Sequence, residues 1–330
     1  MKRPKDGGKL KYLSILFLLI ACPVHAETFK VVVYGDTHDT VAGAPILSGH
    51  NDWIISQAEA LNIKYVLHLG DGVTDPADNE MIATEMQRLA TANIPYIFSL
   101  GNHEFDTDDS ASPARATTSF DTYYPVADFS WVDGNFDIMQ NSYDVITVGG
   151  VEYLFMTIAY CPDDDAIAWA DGILTANTDK HVIISTHYYF SSLTSEYSRG
   201  TNNDNYTWAC QNNGSGEALY QNVFINYPNI LMILAGHNWN PYSTYVDGSI
   251  IRRDVVDGVT INQIRQNWQA DTRGNLYIRI YTIDTEADAI QVQSYSPSTD
   301  TYLLNSEDNF YLNKASIGFA NIECEGIIIQ

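Results

Sequence analysis

Four short polar stretches, each following an apolar run, constrain this chain most. They read Gly35-Asp36-Thr37-His38, Gly70-Asp71, Gly101-Asn102-His103-Glu104 and Gly236-His237-Asn238-Trp239, with a lone His187 between the last two. The runs before them (Val31 to Tyr34, Tyr65 to Leu69, Tyr96 to Leu100, Ile183 to Ser185, Ile230 to Leu234) have the length and the β-branched or aromatic content of buried strands. An open α/β sheet gathers the loops beyond its strand ends into one crevice, so residues far apart in sequence can meet there. What would meet is Asp36, His38, Asp71, Asn102, His187 and His237, an oxygen and nitrogen donor set suited to divalent transition metals.

Taken singly, each stretch also has a plainer reading. Asp36 and His38 are two apart, which puts both on one face of an extended segment, yet Asp and His after a strand are common turn residues. Asp71 alone is equally ambiguous. The Gly101-Asn102-His103-Glu104 stretch is more specific, because Asn is an unusual ligand and an adjacent His can act as a general acid toward a leaving oxygen. His187 falls at the end of its run rather than inside it, the place of a ligand. By the same test His68 and His181 read as structural and His50 as a helix-start residue.

The N-terminus reads as a targeting segment. Lys2, Arg3, Lys5, Lys9 and Lys11 form a basic region, Tyr12 to Ala21 an apolar one, and Val24-His25-Ala26 a cleavage site that would leave Glu27 first. The apolar stretch is shorter than the roughly 20 residues that span a bilayer. The expectation is a signal peptide over 1–26 and a soluble exported, periplasmic or secreted product. The alternative is a lipoprotein anchored through Cys22. Beyond Cys22 the chain has Cys161, Cys210 and Cys324, and an oxidising compartment favours one disulfide. Cys161 and Cys210 flank the His187 run and are the expected pair; three unpaired thiols are the competing reading.

Acidic groups number 41 against 17 basic ones, a net charge of −24, and loss of 1–26 would remove five of the bases. Nucleic acid and anionic membranes need clustered Lys and Arg, so neither is an expected partner. An anionic substrate would have to be held largely by metal. Helical patterns at Asn51 to Leu61 and Asp78 to Ala92 alternate with the early strands, and Tyr143 to Val148 and Val151 to Ile158 form a hairpin across Gly149-Gly150. Further helices are expected at Asp164 to Ala176 and Gly216 to Tyr227, and the tail from Asn275 alternates as strands do. The whole reads as one α/β domain over 27–330 with layered sheets and helices outside.

The motif series resembles the calcineurin-like metallophosphoesterase superfamily, whose pattern is D-x-H, G-D, G-N-H-[DE], a lone H, and G-H-x-H. The resemblance implies a four-layer α/β/β/α sandwich with two metals at the sheet ends. Asp36 and His38 would bind the first metal, Asp71 would bridge both, and Asn102, His187 and His237 would bind the second. His103 would be the acid or orienting residue near the leaving group. The implied activity is hydrolysis of phosphate mono- or diesters of small molecules by a metal-activated water, with two divalent or trivalent ions of manganese, iron or zinc.

One position departs from the pattern. The second His of G-H-x-H is Trp239 here, and an indole nitrogen only donates. Asn238 or Asn240 could supply an amide oxygen, water could fill the place, or the first site could be weak. A non-catalytic or one-metal binding protein on the same fold is therefore the alternative function. Purple acid phosphatases, also similar, place a Tyr three residues after the bridging Asp, where this chain has Thr74. Exported 5′-nucleotidases resemble it in the Asn102 to Asp106 signature but carry a separate C-terminal nucleotide-binding domain, which is not expected in a chain of this length. The segment from Tyr188 to Glu217 is expected to form a lip, with Tyr188, Tyr189, Tyr197 and Trp208 as stacking surfaces and Arg199 as a solvated loop cation.

Overall fold

The computed structural model describes residues 26–38, 43–106, 118–191, 198–201, 210, 213–238, 249–256, 258–268, 277–287, 289–306 and 308–313. The expected targeting segment before Ala26, Trp239, Asn240, Tyr197, Trp208 and Cys324 lie outside the described residues.

Strand β1 (Thr28–Tyr34) leads to helix α1 (Gly43–Gln57), β2 (Ile63–His68), α2 (Asn79–Thr91) and β3 (Tyr96–Phe98). Then come α3 (Thr118–Tyr123), β4 (Gly134–Phe136), β5 (Asn141–Val148), β6 (Val151–Ile158), α4 (Asp164–Ala176) and β7 (His181–Thr186). The remainder is α5 (Gly216–Asn222), β8 (Ile230–Ala235), β9 (Ser249–Val256), β10 (Val259–Gln266), β11 (Ile278–Asp284), β12 (Ala289–Ser296), β13 (Thr301–Tyr302) and β14 (Asn309–Asn313). Two seven-stranded sheets result. One runs β13-β12-β11-β1-β2-β3 with β14 also on β12; the other runs β4-β5-β6-β7-β8-β10-β9. In the first sheet β1, β2 and β3 are parallel and form one end, with antiparallel strands beyond β1; in the second β6, β7, β8 and β10 are parallel at the centre, with antiparallel strands at both margins.

The central strands are apolar on both faces because both faces are covered. In β1, Val31 and Val33 enter the core between the sheets with Tyr65, Leu67, Phe155, Ile183 and Leu234. Val32 and Tyr34 point the other way, onto Leu47 and Ile54 of α1 and Met86 and Leu89 of α2. On the outside of the second sheet, Leu154, Met156 and Ile184 meet Ala170 and Leu174 of α4 and Leu219 of α5. These three cores separate four layers, helix, sheet, sheet, helix, as the resemblance implied.

Most elements lie where the apolar periodicity put them, and α4 has the expected bounds, capped by Asp163, which accepts the Ala166 N–H at 2.9 Å. Three differ. Helix α1 begins at Gly43, eight residues before the expected start, with Pro45 in a first turn that tolerates it. His50 is therefore no helix-start residue: it lies inside α1, 1 % exposed, stacked near Tyr34. The expected helix from Gly216 to Tyr227 breaks at Val223, where φ is −123° and ψ −70°, and ends as a 3-10 turn over Phe224–Asn226. The β9–β10 hairpin was not legible at all. Its inner strand carries Asn262, Gln263, Arg265 and Gln266, all buried, and these polar residues interrupt the apolar signal. Tertiary partners take up two of the amide donors: Asn262 donates to Leu231 O and Gln266 to Val33 O.

Burial holds the His50 imidazole down at about 4, and neither ring nitrogen has a hydrogen-bond partner among the described residues. The ring stays neutral in the fold yet takes a proton in the unfolded chain below about 6.5. Between those values the unfolded state binds more protons, so stability falls as pH drops through that window. His50→Leu is expected to stabilise the fold by about 1 kcal/mol at pH 7 and about 3 kcal/mol at pH 5. Urea melts of both chains at the two pH values check this; an equal difference at both would rule out the buried neutral ring.

Candidate metal centre

Every expected site residue follows the C-terminal end of a parallel strand. Asp36 and His38 leave β1, Asp71 leaves β2, Asn102 and His103 follow β3, His187 follows β7, and His237 follows β8. The two sheets meet here backbone to side chain. Gly236 lies so close that a Cβ would stand 2.2 Å from Asp36 Oδ1, and one on Gly101 would stand 2.3 Å from Asp71 Oδ1. Only glycine fits at either place. Asp71 (φ 51°) and His237 (φ 65°) themselves adopt the left-handed conformation, a strain that recurs at functional sites.

Among the described residues, donor atoms fall into two groups that share Asp71. His38, Asp71 and His103 offer atoms within 4.8 Å of one another, and so do Asp71, His187 and His237. In the second group the ring orientation of His187 is fixed. His187 Nδ1–H donates to Leu69 O at 2.7 Å, so Nε2 is the nitrogen turned to the other donors. That nitrogen faces Asp71 Oδ2 at 2.9 Å, Asn102 Oδ1 at 3.2 Å and His237 Nδ1 at 3.0 Å. Carboxylate, amide and imidazole atoms that meet in a site 0–6 % exposed, apart from the half-buried His237, favour a positive charge among them, a proton or a metal ion. The set of carboxylate, amide and imidazole donors fits a transition metal ion.

In the metal-free protein a proton fills part of that need. Burial alone would lower His187, but the Asp71 and Asp36 carboxylates and the Leu69 carbonyl bring it up to about 9. Asp71 stays ionised: burial would raise it, and the neighbouring His187 and His38 outweigh that. Asp36, fully buried and beside Asp71, is pushed up. Burial and then His187 push His237 down.

Asp36 belongs to neither group. Its Oδ1 accepts the His237 N–H at 3.0 Å, and its Oδ2 accepts the side-chain amide of Asn267 at 2.6 Å. The same amide nitrogen donates to His237 O at 3.1 Å, so Asn267, just past β10, ties the Asp36 and His237 loops together. No sequence signal marked it. Glu104 was quoted in its motif without a role. Fully buried, it accepts N–H bonds from Asp71 at 3.0 Å and Gly101 at 2.7 Å on Oε2 and from Gly72 at 2.7 Å on Oε1. One carboxylate thus joins the loops after β2 and β3. Burial and the Asp71 charge raise it to about 7.

The structural His68 is confirmed as a fully buried ring on Phe98 at 4.3 Å, held near 3 by burial and then by His187. His181, at the start of β7, is remote from the donors. The lip departs from expectation. Arg199 is not solvated: 4 % exposed, it donates to Glu217 at 2.7 Å, Asp254 at 2.5 Å and Gln263 at 2.9 Å and stacks on Tyr220. Tyr189 is no stacking surface either, since it lies in the outer core and donates to Gln263. Tyr188 is buried edge-on against His237, centroids 5.2 Å apart. Both rings are buried, and the described part of the lip pairs with itself at Phe190 and Arg199 while Arg199 reaches Asp254 of β9 and Gln263 of β10. Cys161 and Cys210 form the expected disulfide, next to Tyr160, whose ring lies 5.9 Å from His187 and 5.7 Å from His237.

A four-layer sandwich with donor groups beyond its parallel strands is the architecture of the metal-dependent phosphoesterases. The family model for calcineurin-like phosphoesterases matches residues 29–241, and the chain belongs to that family. It is 26 % identical over 312 residues to the uncharacterized protein YvnB of Bacillus subtilis (strain 168), covering 88 % of this chain but only 22 % of that one. The chain thus spans about a fifth of this relative's length. Among solved structures it is similar to a dimetal phosphatase from Danio rerio (TM-score 0.52, 11 % identity, 89 % of this chain and all of that one). It is also similar to GAP50, the anchor in the inner membrane complex of Plasmodium (TM-score 0.50, 10 % identity, 88 % and 90 % covered). Both likenesses are of fold.

Proposed function

We propose that this chain is an exported, metal-dependent hydrolase of small phosphate mono- or diesters, formed as one domain over 27–330. The observation that carries the reading is the convergence of Asp71, Asn102 and His237 on Nε2 of His187, with Asp71 shared by a second donor group. His187, His237, Asn102 and Asp71 would hold one ion, and Asp71 with His38 and Asp36 the other. When bound, two such ions polarise the phosphoryl oxygens and activate the attacking water.

The chain's own contribution is preorganisation. Leu69 O aims His187, Glu104 fixes the Asp71 loop, and Asn267 holds Asp36. With 17 basic residues in the whole chain and Arg199 consumed by its ion pairs, metal is left to meet the anionic substrate. Export is supported by the basic and apolar N-terminal regions and by the disulfide. No helix among the described residues is long and apolar enough to cross a membrane.

The test is reconstitution with Mn2+, Zn2+ or Fe2+, counting of ions per chain after desalting, and assay on phosphate mono- and diesters. Two retained ions with hydrolysis is the expected result. Trp239 favours the second reading, a binding protein on the same fold. Metal retained without hydrolysis of either ester class would establish it, and no metal at all would overturn the proposal. Mass spectrometry of the exported chain should find Glu27 first; a diacylglyceryl Cys22 would replace the soluble form by the anchored one.

A further inference from the structure

We propose that His103, rather than acting as the acid, is the imidazole ligand that the first metal site lacks through Trp239. The inference rests on the phosphoesterase reading and concerns the first of its two sites. Two nearby amides among the described residues, those of Asn238 and Asn267, have their orientation set by hydrogen bonds that their nitrogens donate. The Asn238 amide nitrogen donates to Phe190 O at 2.5 Å. That of Asn267 meets two oxygens at once, Asp36 Oδ2 and His237 O, which identifies it as the nitrogen end and makes Asn267 a clamp on Asp36.

His103 is placed differently. Its ring lies against that of His38, centroids 4.3 Å apart and planes 31° apart. Its Nδ1 sits 3.1 Å from Thr74 O, and a carbonyl can only accept, so Nδ1 carries the hydrogen and Nε2 the lone pair. This is the arrangement seen at His187, whose Nδ1 donates to Leu69 O. Metal-ligating imidazoles commonly have their other nitrogen fixed in this way. The His103 backbone N–H donates to Asp71 Oδ1 at 3.0 Å, which ties the ring's position to the shared carboxylate. His38, Asp71 and His103 then form a donor group of the same size as Asp71, His187 and His237. Each site would have two imidazoles, and both would lean on Asp71. A ring bound through Nε2, with Nδ1–H on Thr74 O, has no proton to give a leaving group, so the two roles exclude each other.

Co2+ added to the metal-free full chain is the probe, because its visible absorption and paramagnetic proton shifts report ligands without turnover. The wild-type chain is expected to retain two Co2+ after desalting, and His103→Ala one, with weaker visible absorption. Trp239→His placed in the His103→Ala chain is expected to bring back the second ion. In the Co2+-loaded wild type, the His103 Nδ1–H is expected among four strongly shifted imidazole N–H signals, with His38, His187 and His237. That readout needs no variant, so a misfolded His103→Ala leaves the test intact. Two ions in His103→Ala at unchanged affinity, or an unshifted His103 signal, would overturn the assignment and leave the phosphoesterase reading standing. A wild-type chain that holds one ion would also overturn it, and one that holds none would overturn both.

Discussion

Asp71→Asn is expected to lower hydrolysis of phosphate esters by about 10³-fold or more, about 4 kcal/mol of barrier, with the fold intact. Asp71 is the one residue that both donor groups share. Its Oδ2 lies 2.9 Å from His187 Nε2 and 3.5 Å from His38 Nε2, while Oδ1 accepts the His103 N–H. The asparagine keeps an oxygen for that N–H. It replaces the charged oxygen by an amide nitrogen, which cannot ligate and whose hydrogens carry no negative charge toward either ion. Backbone strain does not confuse the result, because asparagine tolerates the left-handed conformation (φ 51°) that Asp71 adopts. Initial rates on metal-loaded chains, with circular dichroism as the fold control, make the comparison. Activity within tenfold of wild type would exclude a shared carboxylate and the two-ion arrangement with it.

The second large effect is on stability. Glu104→Ala is expected to cost about 4 kcal/mol, since it strands three buried backbone N–H groups at about 1–3 kcal/mol each, partly offset by relaxation. These belong to Gly101, Asp71 and Gly72, so the loop that presents Asp71 loses its fixed position together with its acceptor. Glu104→Gln retains one oxygen and is expected to lose about half as much. Urea unfolding of the metal-free chains measures both. A loss below about 1 kcal/mol in the alanine variant would mean that water replaces the carboxylate and that Glu104 does not build the loop.

What the sequence determined is the parallel part of each sheet and the residues at its edge. β1, β2, β7 and β8 are apolar on both faces, and runs so short and so rich in β-branched and aromatic residues read as doubly covered strands. The polar stretches after them had to lie beyond strand ends, so Asp36, His38, Asp71, Asn102, His103, His187 and His237 could be named before any coordinate was known. Their local spacing carried that information, as the cysteine positions carried the disulfide.

Tertiary structure alone decided the rest. β10 is buried yet polar, because its amides answer carbonyls in neighbouring strands, and no periodicity encodes a partner as distant as Val33. Asn267 holds Asp36 across 231 positions, and Arg199 left the solvent only because Glu217, Asp254 and Gln263 surround it. Which nitrogen of His103 and His187 is turned to the site depends on two backbone carbonyls, Thr74 O and Leu69 O. A side chain's type is written in the sequence; its hydrogen-bond partner, and with it the proton that sets its role, exists only once distant loops have been brought within 3 Å.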